Sequence, residues 1–509
     1  MTNRLFIGLR LTGLRVIVVS LLFVNLNQIS YAQKKIEYIA NIVDFDKSIG
    51  INAQRLIGDV RFKHDNTLMY CDSAYFYSEE NRLDAFSRVH IIQPDGVNMY
   101  GDLLKYNGNT KLALVRKNVK IIDKQSTLFT DFFDFDNNLN IGHYFNGGKI
   151  LNDSSILTSF QGYYYSKEKK TKFMDSVKFV NPKYTIYSDS MLYFSETKVV
   201  QFICPTDIVS KDNYLYTEGG WYNTITEMAE FNKNSYLEND HQKLKGDILY
   251  YDKKKGIGHV YNHVEAIDTT QRIIITGNKA EYIEKPEYLM VTDSAVLINY
   301  NEKDSLFLHA DTLLSNHYGE KDRIIRAFYK VKIFKPDLQG KCDSLTYSSI
   351  DSTVRMYYDP VIWSDENQLT ADSIHLFTTN RHLDRMKLYN TPFIISREDS
   401  SKYNQIKGKN MTGYFDRNQL YKIDVFGNGQ TVYYPKDKND IIGVNKAASS
   451  NLVIFIENKK VKKIKFYPKP DATLYPLEKA PKDELILKGF IWLDYYRPKS
   501  KDDIFLWGE

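Results

Sequence analysis

The chain has 509 residues, with 68 Lys and Arg against 63 Asp and Glu. That near balance gives no electrostatic basis for binding nucleic acid or a polybasic contact with membrane. Aromatics are abundant (39 Tyr, 28 Phe) and prolines few (13), which suits pleated, half-buried strands and excludes a disordered linker protein.

Residues 1–32 read as a signal peptide. Arg4, Arg10 and Arg15 form its positive region, residues 16–24 its short apolar core, and Ser30-Tyr31-Ala32 its cleavage site, before Gln33. An uncleaved anchor is the alternative, although the apolar run is short for a spanning helix. Removing the peptide leaves 65 basic against 63 acidic residues, and no later apolar run reaches spanning length.

Residues 33–430 repeat themselves. The unit reads small–Asp–x–apolar–x–aromatic, as in Cys71-Asp72-Ser73-Ala74-Tyr75-Phe76, Gly101-Asp102-Leu103-Leu104-Lys105-Tyr106 and Ser188-Asp189-Ser190-Met191-Leu192-Tyr193. Its anchors are residues 72, 102, 131, 160, 189, 218, 247, 278, 311, 343, 372 and 409; those from 131 to 247 are spaced 29 apart. Positions +2 and +4 from the anchor share one face of a strand, because side chains alternate with period two. Position +4 is aromatic at Phe76, Tyr106, Phe135, Tyr164, Tyr193, Tyr222, Tyr251, Tyr282 and Tyr347. Short strands such as Val89-His90-Ile91-Ile92 and Val177-Lys178-Phe179-Val180 follow each anchor strand, after turns such as Asn107-Gly108-Asn109. The fold expected is all-β: about twelve stacked antiparallel repeats of roughly 29–33 residues that bury their apolar faces only by stacking. With the strands shared between two sheets, the body is expected to be roughly 60 Å long at about 4.8 Å per strand. The anchor Asp reads as a turn or strand-start residue bonding nearby backbone N–H groups.

Residues 431–509 read as a C-terminal capping region. Six prolines fall there, with a closing hairpin over Asn458-Lys459-Lys460 and a frayed tail after Phe490-Ile491-Trp492.

No nucleophile elbow, HExxH, P-loop or dinucleotide fingerprint occurs, so no catalytic residue and no cofactor are expected. Cys71, Cys204 and Cys342 have no Cys or His at ligand spacing and read as small buried hydrophobes, with no metal site. Asp131, Asp134 and Asp136 alternate with Phe132, Phe133 and Phe135 and read as a solvated strand face.

The array resembles the OstA-like family, the Bacteroidota-type relatives of LptA-type lipopolysaccharide-transport proteins. The resemblance is carried by Gly58-Asp59-Val60-Arg61-Phe62, Met69-Tyr70-Cys71-Asp72, Gly101-Asp102-Leu103, Asn118-Val119 and, near the end, Gly443-Val444-Asn445-Lys446 and Leu487-Lys488-Gly489-Phe490. It implies an elongated, twisted β-jellyroll whose two sheets enclose an apolar groove. It also implies a periplasmic or outer-membrane-associated location. The implied partners are lipopolysaccharide or lipid A, other lipopolysaccharide-transport proteins joined edge to edge, and further copies of this chain. The nine +4 aromatics are then the expected groove lining, although an aromatic at such a position is more often plain core than a ligand contact. Two other readings stay open: a structural or adhesive β-solenoid with a solid core, and an enzyme on envelope glycans, which would need paired carboxylates in a cleft.

Overall fold

The computed structural model describes residues 34–45, 53–123, 126–152, 154–300, 304–318, 322–379, 382–437 and 440–507. The signal-peptide expectation, residues 1–32, lies outside them. The described chain is all-β. Ala53–His64, Thr67–Tyr77, Arg82–Ile92, Asn98–Asn107, Leu112–Asp123 and Ser126–Asp136 follow one another as antiparallel hairpins, and this pattern continues through a single 40-stranded sheet.

Every second strand bends at a fixed place. In Arg82–Ile92, Ser87 and Arg88 stand together opposite Asp72 on one neighbour and Asp102 on the other. In Leu112–Asp123, Lys117 and Asn118 stand opposite Asp102 and Asp131. Two residues against one is a β-bulge, and both residues here are left-handed, with φ of 64° and 46° in the first pair and 60° and 52° in the second. The same left-handed pair returns at Asp175-Ser176, Lys233-Asn234, Asn262-His263, Asp293-Ser294, Asn390-Thr391 and Gly427-Asn428. Most pairs contain Asn, Asp, Ser, His or Gly, most of them residues that tolerate this region. These corners form a spine that folds the sheet lengthwise into a V. Residues on either side of a corner belong to opposite walls, and the hairpin tips form the two rims. This is the jellyroll.

Most anchor acids, such as Asp72, Asp102 and Asp131, are therefore mid-strand residues at the corners, whereas Asp247 and Asp372 stand immediately before Ile248–Asp252 and Ser373–Thr379 as strand-start residues. Asp72 accepts from Arg88 Nε at 2.9 Å, Asp102 from Asn118 Nδ2 at 2.6 Å and Asp372 from Thr391 Oγ1 at 2.9 Å. Only some clamps use backbone donors: Asn118 N–H donates to Asp131 at 3.0 Å. Because Asn118 contributes two of these bonds at φ 52°, Asn118→Val should lower stability by about 1–3 kcal/mol. Asn118→Gly, which keeps the backbone free to adopt that φ, should lower it less. Chemical denaturation of the two variants checks this.

The body is about twice as long as expected. Each unit contributes two strand levels to both walls, either as long strands bent at the corner or as pairs of short strands on either side of it, so twelve units stack to roughly 115 Å at about 4.8 Å per strand. The pairing also runs on past residue 430, which lies inside Gln419–Tyr433. That strand pairs with Val444–Glu457, which pairs in turn with Lys460–Tyr467 and Asp471–Tyr475.

The tail after residue 475 is not frayed. It carries four single-turn 3-10 helices and runs back along the outer face of one wall as a strap. Buried Gln405 takes Leu487 N–H and gives its amide to the Leu485 carbonyl, each at 2.8 Å. Buried Gln368 does the same for Leu493 N–H (2.6 Å) and the Ile491 carbonyl (2.8 Å). Arg497 Nε donates to Gln339 at 2.8 Å, and the Lys332 ammonium bonds the Leu506 carbonyl. Leu487, Phe490 and Trp492 cover Phe393, Ile395, Val432 and Tyr434.

Candidate functional groove

On the inner face the +2 residues lie beside the spine and the +4 residues one alternation nearer the rim. Ala74, Leu104, Phe133, Met191 and Leu249, all at +2, are buried. Of the nine +4 aromatics, Phe76, Tyr106 and Phe135 are buried, and Tyr164, Tyr193, Tyr222, Tyr251, Tyr282 and Tyr347 half-buried.

Between the walls runs a groove of about 830 Å³, lined by residues from His64 to Lys253. One wall presents Phe133, Phe135, Tyr144, Tyr164, Phe173 and Tyr193; the other Ile121, Leu128, Ile150, Leu157, Phe179 and Ile186. The charged lining residues Asp65, Asp95, Lys111, Asp123, Lys183, Glu227 and Lys253 sit at strand ends and hairpin tips, so charge rims the groove and the walls are apolar. Gly148 and Gly162 flank Tyr144 so closely that a Cβ on either would overlap its ring. The Tyr144 hydroxyl shares a 2.5 Å hydrogen bond with Ser159, and burial pushes its pKa up to about 12.

Five of the nine aromatics line this groove: Tyr106, Phe135, Tyr164, Tyr193 and Tyr222. Phe76 instead packs in a ring cluster with Tyr38 and Phe62, at 5.2 and 6.2 Å. Tyr251, Tyr282 and Tyr347 lie beyond its far end; Tyr251 donates to Glu284 at 3.3 Å. The facing wall presents Leu128, Ile150, Leu157 and Phe179, which the small–Asp–x–apolar–x–aromatic motif does not mark as lining. Its sequence signals are the apolar residue three before the anchor (Leu128, Leu157) and the apolar alternation of the second strand in each unit (Ile150, Phe179).

At one end of the groove His64 meets Tyr106 across the walls. His64 Nδ1 lies 2.6 Å from the tyrosine hydroxyl, and Nε2 lies 2.9 Å from the Lys34 carbonyl. A carbonyl only accepts, so Nε2 carries the proton and Nδ1 can take the hydroxyl hydrogen. Burial raises the Tyr106 pKa. At the other end Tyr184 and Tyr222 meet edge to face at 6.3 Å; burial raises both pKa values.

Cys71 and Cys342 are buried, and desolvation pushes both thiols up to about 12, so neither is a thiolate near neutrality. Cys204 is half-buried, with its sulfur 3.1 Å from Ser190 N–H. Asp134 pairs with Arg116 at 2.6 Å, and Asp136 accepts from the N–H groups of Asn138 and Leu139 in the following turn. Among the described residues no three His, Cys, Asp or Glu side chains are grouped to hold a metal ion, and no helix is long and apolar enough to cross a membrane.

No curated protein matches the sequence. The chain is similar to a solved structure described as LptH, the LptA homologous periplasmic component of the conserved lipopolysaccharide transport device from Pseudomonas aeruginosa. The identity is 10%, the coverage 27% of this chain and 95% of that one, and the TM-score 0.22. Residues 34–189 match the family described as OstA-like protein. That span builds the first corners and most of the groove.

Proposed function

We propose that this protein is a periplasmic component of lipopolysaccharide transport or outer-membrane assembly. The acyl chains of lipopolysaccharide or lipid A lie between its two walls. The observation that carries this reading is the apolar groove of about 830 Å³ with charge confined to its rim. That volume lies in the ~300–1,000 Å³ range of small-ligand sites. Each methylene moved from water into such a groove is worth roughly 0.8 kcal/mol. Its action is binding, not catalysis. Other transport proteins, or further copies of this chain, would join at the open sheet edge around Glu37–Ile39 and Ile42–Phe45, where Ile39, Ile42 and Phe45 are exposed.

A structural role is favoured for the far part of the array, where Phe231, Leu249, Val260 and Leu313 belong to a continuous packed core. A benzophenone-bearing residue installed at Tyr193 or Phe179 should capture purified lipid A, and one at outward-facing Lys105 or Tyr163 should not. Capture only from the outward positions, or unchanged surface lipopolysaccharide in cells depleted of the protein, would sink the reading.

A further inference from the structure

We infer that the groove is a compartment closed at both ends, so that its hydrocarbon cargo enters and leaves sideways through the mouth between the rims. This rests on the lipid reading above. At the near end the His64–Tyr106 bridge spans the walls with a 2.6 Å bond, and behind it Tyr38, Phe62 and Phe76 fill the interior with mutual ring distances of 5.2–6.4 Å. The rims there are tied together as well, by Lys111 to Asp65 at 2.7 Å. At the far end the Tyr184–Tyr222 pair spans the walls, and on the wall of Tyr222 buried Phe202 and Phe231 flank Gly220 with ring centroids 6.0 Å apart, narrowing the interior there. An acyl chain cannot slide past rings packed at van der Waals contact without displacing them, and interiors at that density leave no such room.

Between the two plugs the rims are separate hairpin tips. Asn137, Ser166 and Ser195 stand on one side; Pro94, Ser155 and Lys183 stand on the other. A continuous conduit would need the inner row to stay open through Phe76 on one side and Tyr251 on the other. The geometry points instead to a holding site for the tails of one amphiphile, with its polar head left among the rim side chains.

The test uses the full mature chain and purified lipid A. Benzophenone-bearing residues are installed one at a time at Leu128 and Tyr193, inside the compartment, and at Tyr38 and Tyr282, beyond the plugs. Capture at the inner pair should exceed capture at the outer pair at least tenfold. In Tyr184→Ala/Tyr222→Ala, capture from Tyr251 should rise several-fold. Equal capture at all four positions overturns the closed compartment and leaves the lipid reading intact. Silence at all four overturns both. If the double variant does not fold, the four-position profile of the parent chain decides.

Discussion

Ile150→Glu is expected to reduce lipid A capture at least about a hundredfold while leaving the unfolding midpoint nearly unchanged. Ile150 stands mid-wall, on Gly148–Asn152, between Leu128 and Leu157 in the strand register, and it lines the groove. A carboxylate there meets water through the mouth when the groove is empty, so the free protein bears little penalty. Once hydrocarbon fills the groove, the same charge is cut off from water with no cation along the apolar wall. Desolvating an unpaired ionised group costs several kcal/mol, and about 2.7 kcal/mol is already a hundredfold. Equilibrium binding of lipid A beside a urea titration separates the two effects. Undiminished binding would mean that the lipid does not touch this wall.

Trp363→Ala should destabilise the chain by about 3–5 kcal/mol, the range for removing a large buried aromatic. Trp363 is fully buried, on Val361–Ser364, with Gln339 and Gln368 directly opposite it on its two neighbours. Directly paired residues share a face, so the indole lies on the face where those glutamines hold the strap. Its loss therefore acts twice, leaving a cavity under the strap and removing the floor on which residues 491–497 rest. Hydrogen exchange at Leu493 N–H, held by Gln368 at 2.6 Å, should quicken in step with the loss of stability. The indole N–H makes no hydrogen bond, so Trp363→Phe, which keeps most of the apolar volume, should lose much less. A Phe variant as unstable as the Ala variant would show that an indole-specific contact has been overlooked.

The two variants probe parts of the molecule that differ in how far the sequence announced them. The anchors at 72, 102, 131 and onward are legible because stacking repeats a local requirement at a fixed period, and the buried +2 residues follow from strand alternation alone. The corner pairs recur in the same phase, as Ser87-Arg88, Lys117-Asn118 and Asn262-His263, but carry no residue signature of their own. Two polar residues between apolar strands resemble an ordinary turn until the register shows that the same antiparallel ladder resumes beyond the bend. The doubled length follows from the same point, since a unit that contributes two strand levels to both walls adds twice the rise per repeat.

By itself the sequence determined an all-β, repeating, inward-apolar array, because strand periodicity and apolar burial are local properties written residue by residue. It could not determine which of nine equivalent aromatics face open space, since Tyr193 beside a groove and Phe76 in a ring cluster occupy the same position in the repeat. Only the fold of the two walls decides that, through the cross-wall bridges His64–Tyr106 and Tyr184–Tyr222. Tertiary structure likewise decided the course of the tail, because Gln368 and Gln405 meet its backbone amides, and Gln339 the Arg497 guanidinium, only when a distant segment lies over them. Contacts between residues 80 to 158 positions apart leave no period to read.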